Sequence, residues 1–116
     1  MRVTRLYTGA DGEAHFEDFD IPLTDAGSIG QLSELYPATG VIFRETGPEY
    51  DYTWHTAPRR QFIIMLHGEV DVTIGDGTTR RFGTGDILLA EDTTGRGHIS
   101  RAVNNQPRRS LFVTLD

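Results

Sequence analysis

The 116-residue sequence predicts an all-β chain, and three observations carry that prediction. Apolar and polar residues alternate with a period of two in several short segments, as where Val70, Val72 and Ile74 interleave with Glu69, Asp71 and Thr73. The 13 glycines and 5 prolines are spread along the chain, which suits short strands joined by turns. Strand-like segments recur at roughly 8–12-residue spacing, the rhythm of a sandwich or barrel.

Taken in order, Val3 to Thr8 and Ala14 to Ile21 read as the first two strands. Between Leu23 and Thr39 the chain becomes loop-like, with Ala26-Gly27-Ser28-Ile29-Gly30 followed by an expected helical turn over Gln31 to Leu35. Val41 to Glu45 opens the core. Tyr50, Tyr52 and Trp54 alternate with Asp51, Thr53 and His55, so the aromatic set and the set containing His55 occupy opposite strand faces. The aromatic face reads most simply as core packing. Phe62 through Leu66 is a continuous apolar run, as expected of a strand buried on both sides. Gly68 permits a turn, and Gly75-Asp76-Gly77 is a hairpin signal between Val70–Ile74 and Thr78–Phe82. Gly83-Thr84-Gly85-Asp86 turns again before the short strand Ile87 to Ala90. A polar loop, Asp92 to Gly97, leads to His98, and Leu111, Val113 and Leu115 mark the last strand.

Composition narrows the chemistry. A chain of this length is expected to form one domain around one core. No apolar run approaches the roughly 20 residues that cross a bilayer, and Met1 to Leu6 has no apolar signal region, so no membrane partner is expected and a cytoplasmic protein is. Absence of cysteine excludes disulfides, thiolate nucleophiles and sulfur ligands. All 11 basic residues are arginine, which excludes lysine Schiff-base chemistry. Proton transfer therefore falls to the 4 histidines, carboxylates, tyrosines or a bound water. A net charge of −6 argues against a nucleic-acid partner. Of three arginine doublets, Arg80-Arg81 and Arg108-Arg109 read as edge protection and solvated surface, while Arg59-Arg60 lies between His55 and Gln61, within reach of a cavity mouth.

Two stretches carry a family resemblance. Gly47 to Gly68 contains Trp54-His55-Thr56-Ala57 and Gln61, and Gly85 to His98, continuing to about residue 103, ends on a histidine after a glycine-rich loop. Together they resemble the two motifs of the cupin superfamily, small single-domain jelly-roll β-barrels that often hold a metal among histidines. By that resemblance His55 stands at the first histidine position, Ala57 at the second, Gln61 at the acidic position, Gly68 at the closing glycine and His98 at the histidine of the second motif. The departures at Ala57 and Gln61 leave His55, Gln61 and His98 as the remaining metal ligands. A divalent ion (Fe, Mn, Ni or Zn) would be weakly held by them, or none would be bound. His15 and Glu17, on one face of the second strand, are the candidates to complete such a site; a solvent-facing polar row over Phe16 is the alternative. His67 reads as a strand-end residue.

The resemblance implies a small-molecule substrate or ligand and a homodimer. His55 and His98 are the candidate catalytic pair, one acid and one base, suited to isomerase, lyase or cyclase chemistry, or to oxygenase chemistry with a metal. Tyr52, Arg59 and Arg60 are the candidate substrate-binding residues; Tyr50 is a further phenol donor. Strand parity points Arg101 away from the face of His98. The competing reading is a non-catalytic module that binds a small ligand in the same barrel.

Overall fold

The computed structural model describes residues 1–116, and the period-two segments resolve into 12 strands. The first half contains β1 (Arg2–Thr8), β2 (Ala14–Asp20), β3 (Thr24–Asp25), β4 (Gln31–Leu32), β5 (Gly40–Thr46) and β6 (Asp51–His55). The second contains β7 (Gln61–His67), β8 (Val70–Thr73), β9 (Thr79–Phe82), β10 (Ile87–Glu91), β11 (His98–Ala102) and β12 (Arg108–Thr114). They build a six-stranded sheet in the order β2-β1-β10-β7-β12-β5 and a four-stranded sheet in the order β6-β11-β8-β9. No helix is long and apolar enough to cross a membrane.

One expectation fails in the N-terminal connection. The helical turn over Gln31 to Leu35 is absent; a 3-10 turn sits earlier, at Gly27–Ile29, and Gln31–Leu32 instead pair with Thr24–Asp25. Gly30, at φ 99°, ends the turn, and its carbonyl accepts the Ala26 N–H at 2.7 Å, which brings the chain back on itself.

The interior divides into two halves. At one end Leu6, Ala14, Met65, Val70, Val72, Ile74, Phe82 and Leu88 form a buried apolar cluster, and Phe16 packs against it. Val3, Leu89 and Leu115 form a smaller cluster on the far side of the large sheet. The run Phe62–Leu66 is indeed a central strand, with Ile63 against the first cluster and Phe62 against the second. Thr4 and Arg80 both bind Asp18, and Arg80 does so through two nitrogens at 3.0 and 2.8 Å. This ion pair joins the six-stranded sheet to β9 of the other. Arg81 pairs similarly with Asp71, so the Arg80-Arg81 doublet is surface structure as expected.

The last strand reverses the expected polarity. Its buried side consists of Arg108, Ser110, Phe112 and Thr114, not Leu111 and Val113. Arg108 is 7% exposed, so the reading of Arg108-Arg109 as solvated surface holds for Arg109 alone. Gly68 helps place it: at φ +83° it packs where a Cβ would sit 2.5 Å from the Pro107 carbonyl oxygen, bringing the end of β7 against the start of β12.

Candidate functional site

At the end opposite the apolar cluster, the sheets separate around a cavity of about 330 Å³. Its walls come from β5, β7, β10 and β12 on one side and from β6 and β11 on the other. His55, Ala57, Gln61 and His98 all line it, as do Tyr50, Tyr52 and Arg59.

His55 and His98 are register partners across the antiparallel β6–β11 pair. Their ring centroids lie 4.4 Å apart at an interplanar angle of 56°. A β-bulge explains how His55 arrives there. Between the pairs His98–His55 and Ser100–Tyr52, β11 advances two residues while β6 advances three. The extra residue breaks the alternation expected from sequence, so Tyr52 and His55 share the cavity wall and stack with centroids 3.8 Å apart. Gly97 permits the close approach: its φ is +76°, and a methyl group there would overlap the His55 carbonyl oxygen.

Each histidine is held by a different acceptor. His55 Nδ1 lies 2.7 Å from the Thr53 carbonyl, which can only accept, so Nδ1 carries the hydrogen and Nε2 keeps its lone pair. Burial pushes His55 below the usual histidine range; the Thr53 bond opposes this and the neighbouring His98 adds to it. His98 Nδ1 donates to Asp92 Oδ2 at 2.5 Å. Asp92 is wholly buried, its Oδ1 has no partner, and its backbone carbonyl accepts the Ala57 N–H at 3.1 Å. Both rings therefore present Nε2 as the nitrogen not already bonded.

Gln61 is buried on the opposite wall, with Oε1 lacking any hydrogen-bond partner. The donor set nevertheless does not fit a resident divalent ion. No group of three His, Cys, Asp or Glu side chains assembles anywhere in the chain. Two neutral imidazoles and an amide offer no negative charge, and they share the cavity with Arg44, Arg59 and Arg108.

Other sequence candidates lie elsewhere. His15 binds the Asp11 carboxylate at 3.0 Å, and Glu17 lies 3.8 Å from Arg5, so neither joins the cavity; Phe16 between them is partly buried against the core. Arg60 is drawn away by Glu91 at 2.6 Å and Asp116 at 3.6 Å, and only Arg59 of that doublet reaches the cavity. Glu91 is desolvated, yet Arg5 and Arg60 outweigh that and hold its carboxyl below the usual range. Arg101 pairs with Asp51 on the outer face, as parity requires. His67 ends β7, exposed.

Three residues of the candidate site were not singled out in the sequence: Asp92, Arg44 and Arg108. Asp92 was legible only as a polar loop residue, six positions before His98. The signal for Arg108 was parity with Ser110 and Phe112, hidden by the more obvious apolar set Leu111, Val113 and Leu115.

Two sheets closing over a cavity with paired histidines on one wall define an all-β, cupin-type fold. Solved structures share it at low identity. A conserved protein of unknown function from Streptococcus pyogenes superposes with a TM-score of 0.52 at 19% identity, over 73% of this chain and 69% of that one. A putative ethanolamine utilization protein Q from Salmonella typhimurium gives 0.51 at 17%, over 98% and 94%. A DUF861 family protein from Thermotoga maritima gives 0.50 at 16%, over 66% and 77%. No protein-family profile matches the chain, and no curated protein does.

Proposed function

We propose that this protein is a small-molecule enzyme of the cupin type that moves a proton on a substrate seated in the cavity. His55 is the base and His98, oriented by Asp92, is the proton carrier that completes the exchange. The observation that carries this reading is the asymmetric support of two facing imidazoles. One is neutral, its Nδ1–H held by a backbone carbonyl and its Nε2 free, and the other is backed by a buried carboxylate that compensates positive charge formed on the ring. Such a pair serves isomerisation, epimerisation, elimination or cyclisation without a redox partner. The free amide oxygen of Gln61 accepts a hydrogen bond from the substrate, while Tyr52 and Arg59 flank the mouth.

The test is hydrogen exchange. In deuterated water, small enolisable carbonyl compounds and hydroxy acids incubated with the protein should lose a carbon-bound proton signal, as followed by NMR. Exchange should vanish in His55→Gln and fall in His98→Gln. Binding without exchange across the panel would instead identify a non-catalytic module. A homodimer belongs to the same reading: β5 is a free sheet edge on which Val41 and Phe43 are exposed.

A further inference from the structure

Arginine pairing separates the surface of this protein from its cavity. There are 17 acidic residues against 11 arginines, so carboxylates are in excess. Seven arginines have a carboxylate partner: Arg2, Arg5, Arg60, Arg80, Arg81, Arg96 and Arg101. The four without one are Arg44, Arg59, Arg108 and Arg109, and the first three line the cavity. No aspartate or glutamate lines it.

Arg108 is the sharpest case. It is 7% exposed, and its Nε and Nη1 are buried without any hydrogen-bond partner. Leaving charged donors unpaired in the interior is costly, and buried guanidinium groups are ordinarily paired. Burial accordingly lowers the Arg108 pKa; Tyr50 opposes the shift and Arg44 reinforces it. Arg44 stands on the adjacent strand, opposite Ser110 and two positions from the residue facing Arg108, so both side chains emerge on the same sheet face. The two guanidinium groups lie 5.4 and 4.9 Å from the Tyr50 ring centroid, and Arg44 is also 5.2 Å from that of Phe112. Aromatic faces hold the guanidinium groups but do not neutralise them.

We infer that Arg108 and Arg44 form a carboxylate-binding subsite, and that the molecule taken into the cavity is a small organic acid. A planar guanidinium matches a carboxylate, which could accept from the orphaned Nε–H on one edge or from Nη1–H on another while its negative charge offsets that of Arg108 and Arg44. A cavity of about 330 Å³ limits the acid to a compact one. This subsite deepens the reading of the cavity as the substrate's place and does not depend on which histidine moves the proton.

The test uses pyruvate, glycolate and succinate at millimolar concentration, with their amides as uncharged controls and inorganic phosphate as a competing oxyanion. At least one carboxylate should raise the melting temperature of the wild-type protein and bind by calorimetry, whereas its amide should not. Affinity should fall by about tenfold or more in both Arg108→Gln and Arg44→Gln, and stay unchanged in Arg109→Gln. Without ligand, Arg108→Gln should melt no lower than wild type, because an unpaired buried charge has been removed. If that variant misfolds, half-buried Arg44 carries the test alone. Equal binding of acid and amide, wild-type affinity in the arginine variants, binding of phosphate alone, or no response to any acid would each overturn the subsite. A His55→Asn, His98→Asn double variant separates the two readings. Arginine-dependent acid binding that survives in it, with no hydrogen exchange in wild type, would leave the subsite standing and remove the acid–base role. Exchange in wild type without arginine dependence would do the reverse.

Discussion

His55 and His98 face each other across one antiparallel strand pair with ring centroids 4.4 Å apart, yet their Nδ1 atoms are bound to unlike acceptors. A backbone carbonyl holds one and a buried carboxylate holds the other. This difference puts two chemically identical side chains in unlike surroundings, which suits them to the different tasks proposed for them.

The Asp92 carboxylate should fix the tautomer of His98. In Asp92→Asn, long-range nitrogen–proton NMR should show His98 passing from a single Nδ1–H form to a mixture. Proton-exchange activity should fall by about 10²-fold or more. Because Asp92 is completely buried, the same change should cost about 1–3 kcal/mol in chemical denaturation. An unchanged His98 spectrum would remove Asp92 from the site.

The low pKa of His55 has a defined sign in both rate and stability. As the base it must be neutral, so the acid limb of the pH–rate profile should lie below about 6.5, the ordinary histidine value. The unfolded chain binds the proton more readily than the folded one. Stability from this group is therefore complete above the unfolded value and declines as pH falls below it. NMR titration of the His55 ring checks this directly; a value above the ordinary one would contradict it.

Gly97→Ala should separate the two histidine strands. Positive φ and overlap with the His55 carbonyl act together, and a loss of about 2 kcal/mol or more is expected from urea denaturation. Gly77→Ala, at a hairpin tip with open space around it, should lose less despite a comparable φ of +89°.

The Asp18–Arg80 pair is the acid-sensitive link between the sheets. Arg80, followed by Thr4, holds the Asp18 carboxyl down at about 2. Its contribution is complete above the unfolded carboxylate pKa of about 3.9 and is lost as pH falls through the folded value. Both side chains are 36% exposed, so Asp18→Asn should cost about 0.5–1 kcal/mol at neutral pH and less in high salt. Equal acid denaturation midpoints for variant and wild type would refute the assignment.

Edge pairing through β5 should be visible in solution mass. Light scattering on a sizing column should give a dimer for the wild type and a monomer for Val41→Lys, Phe43→Lys, since charges on an edge strand oppose pairing. A monomeric wild type would leave the edge unexplained.

Much of the fold was legible because strand periodicity and turn chemistry are local. The hairpin at Gly75-Asp76-Gly77 forms as expected, closed by the Ile74 N–H on the Thr78 carbonyl at 3.0 Å. The strands beginning at Val3 and Ala14 start within a residue of their expected positions. The site was legible in part, through His55, Gln61 and His98. The failures share a cause. Parity placed His55 opposite Tyr52, but a bulge, which belongs to a strand pair rather than to a strand, put them on one wall. Hydropathy placed Arg108 at the surface, although three of the four residues on the buried face of β12 are polar or charged.

By itself, then, the sequence determined the all-β class, most of the turn positions and His55 and His98 as the histidines to consider, because backbone preference and alternation act over a few residues. Only the tertiary structure decided that Asp92 stands behind His98, that His15 and Arg60 are occupied elsewhere, and that Arg44 and Arg108 lack carboxylate partners. Those relationships depend on which strands become neighbours and which charges find one another, and both are set by long-range packing.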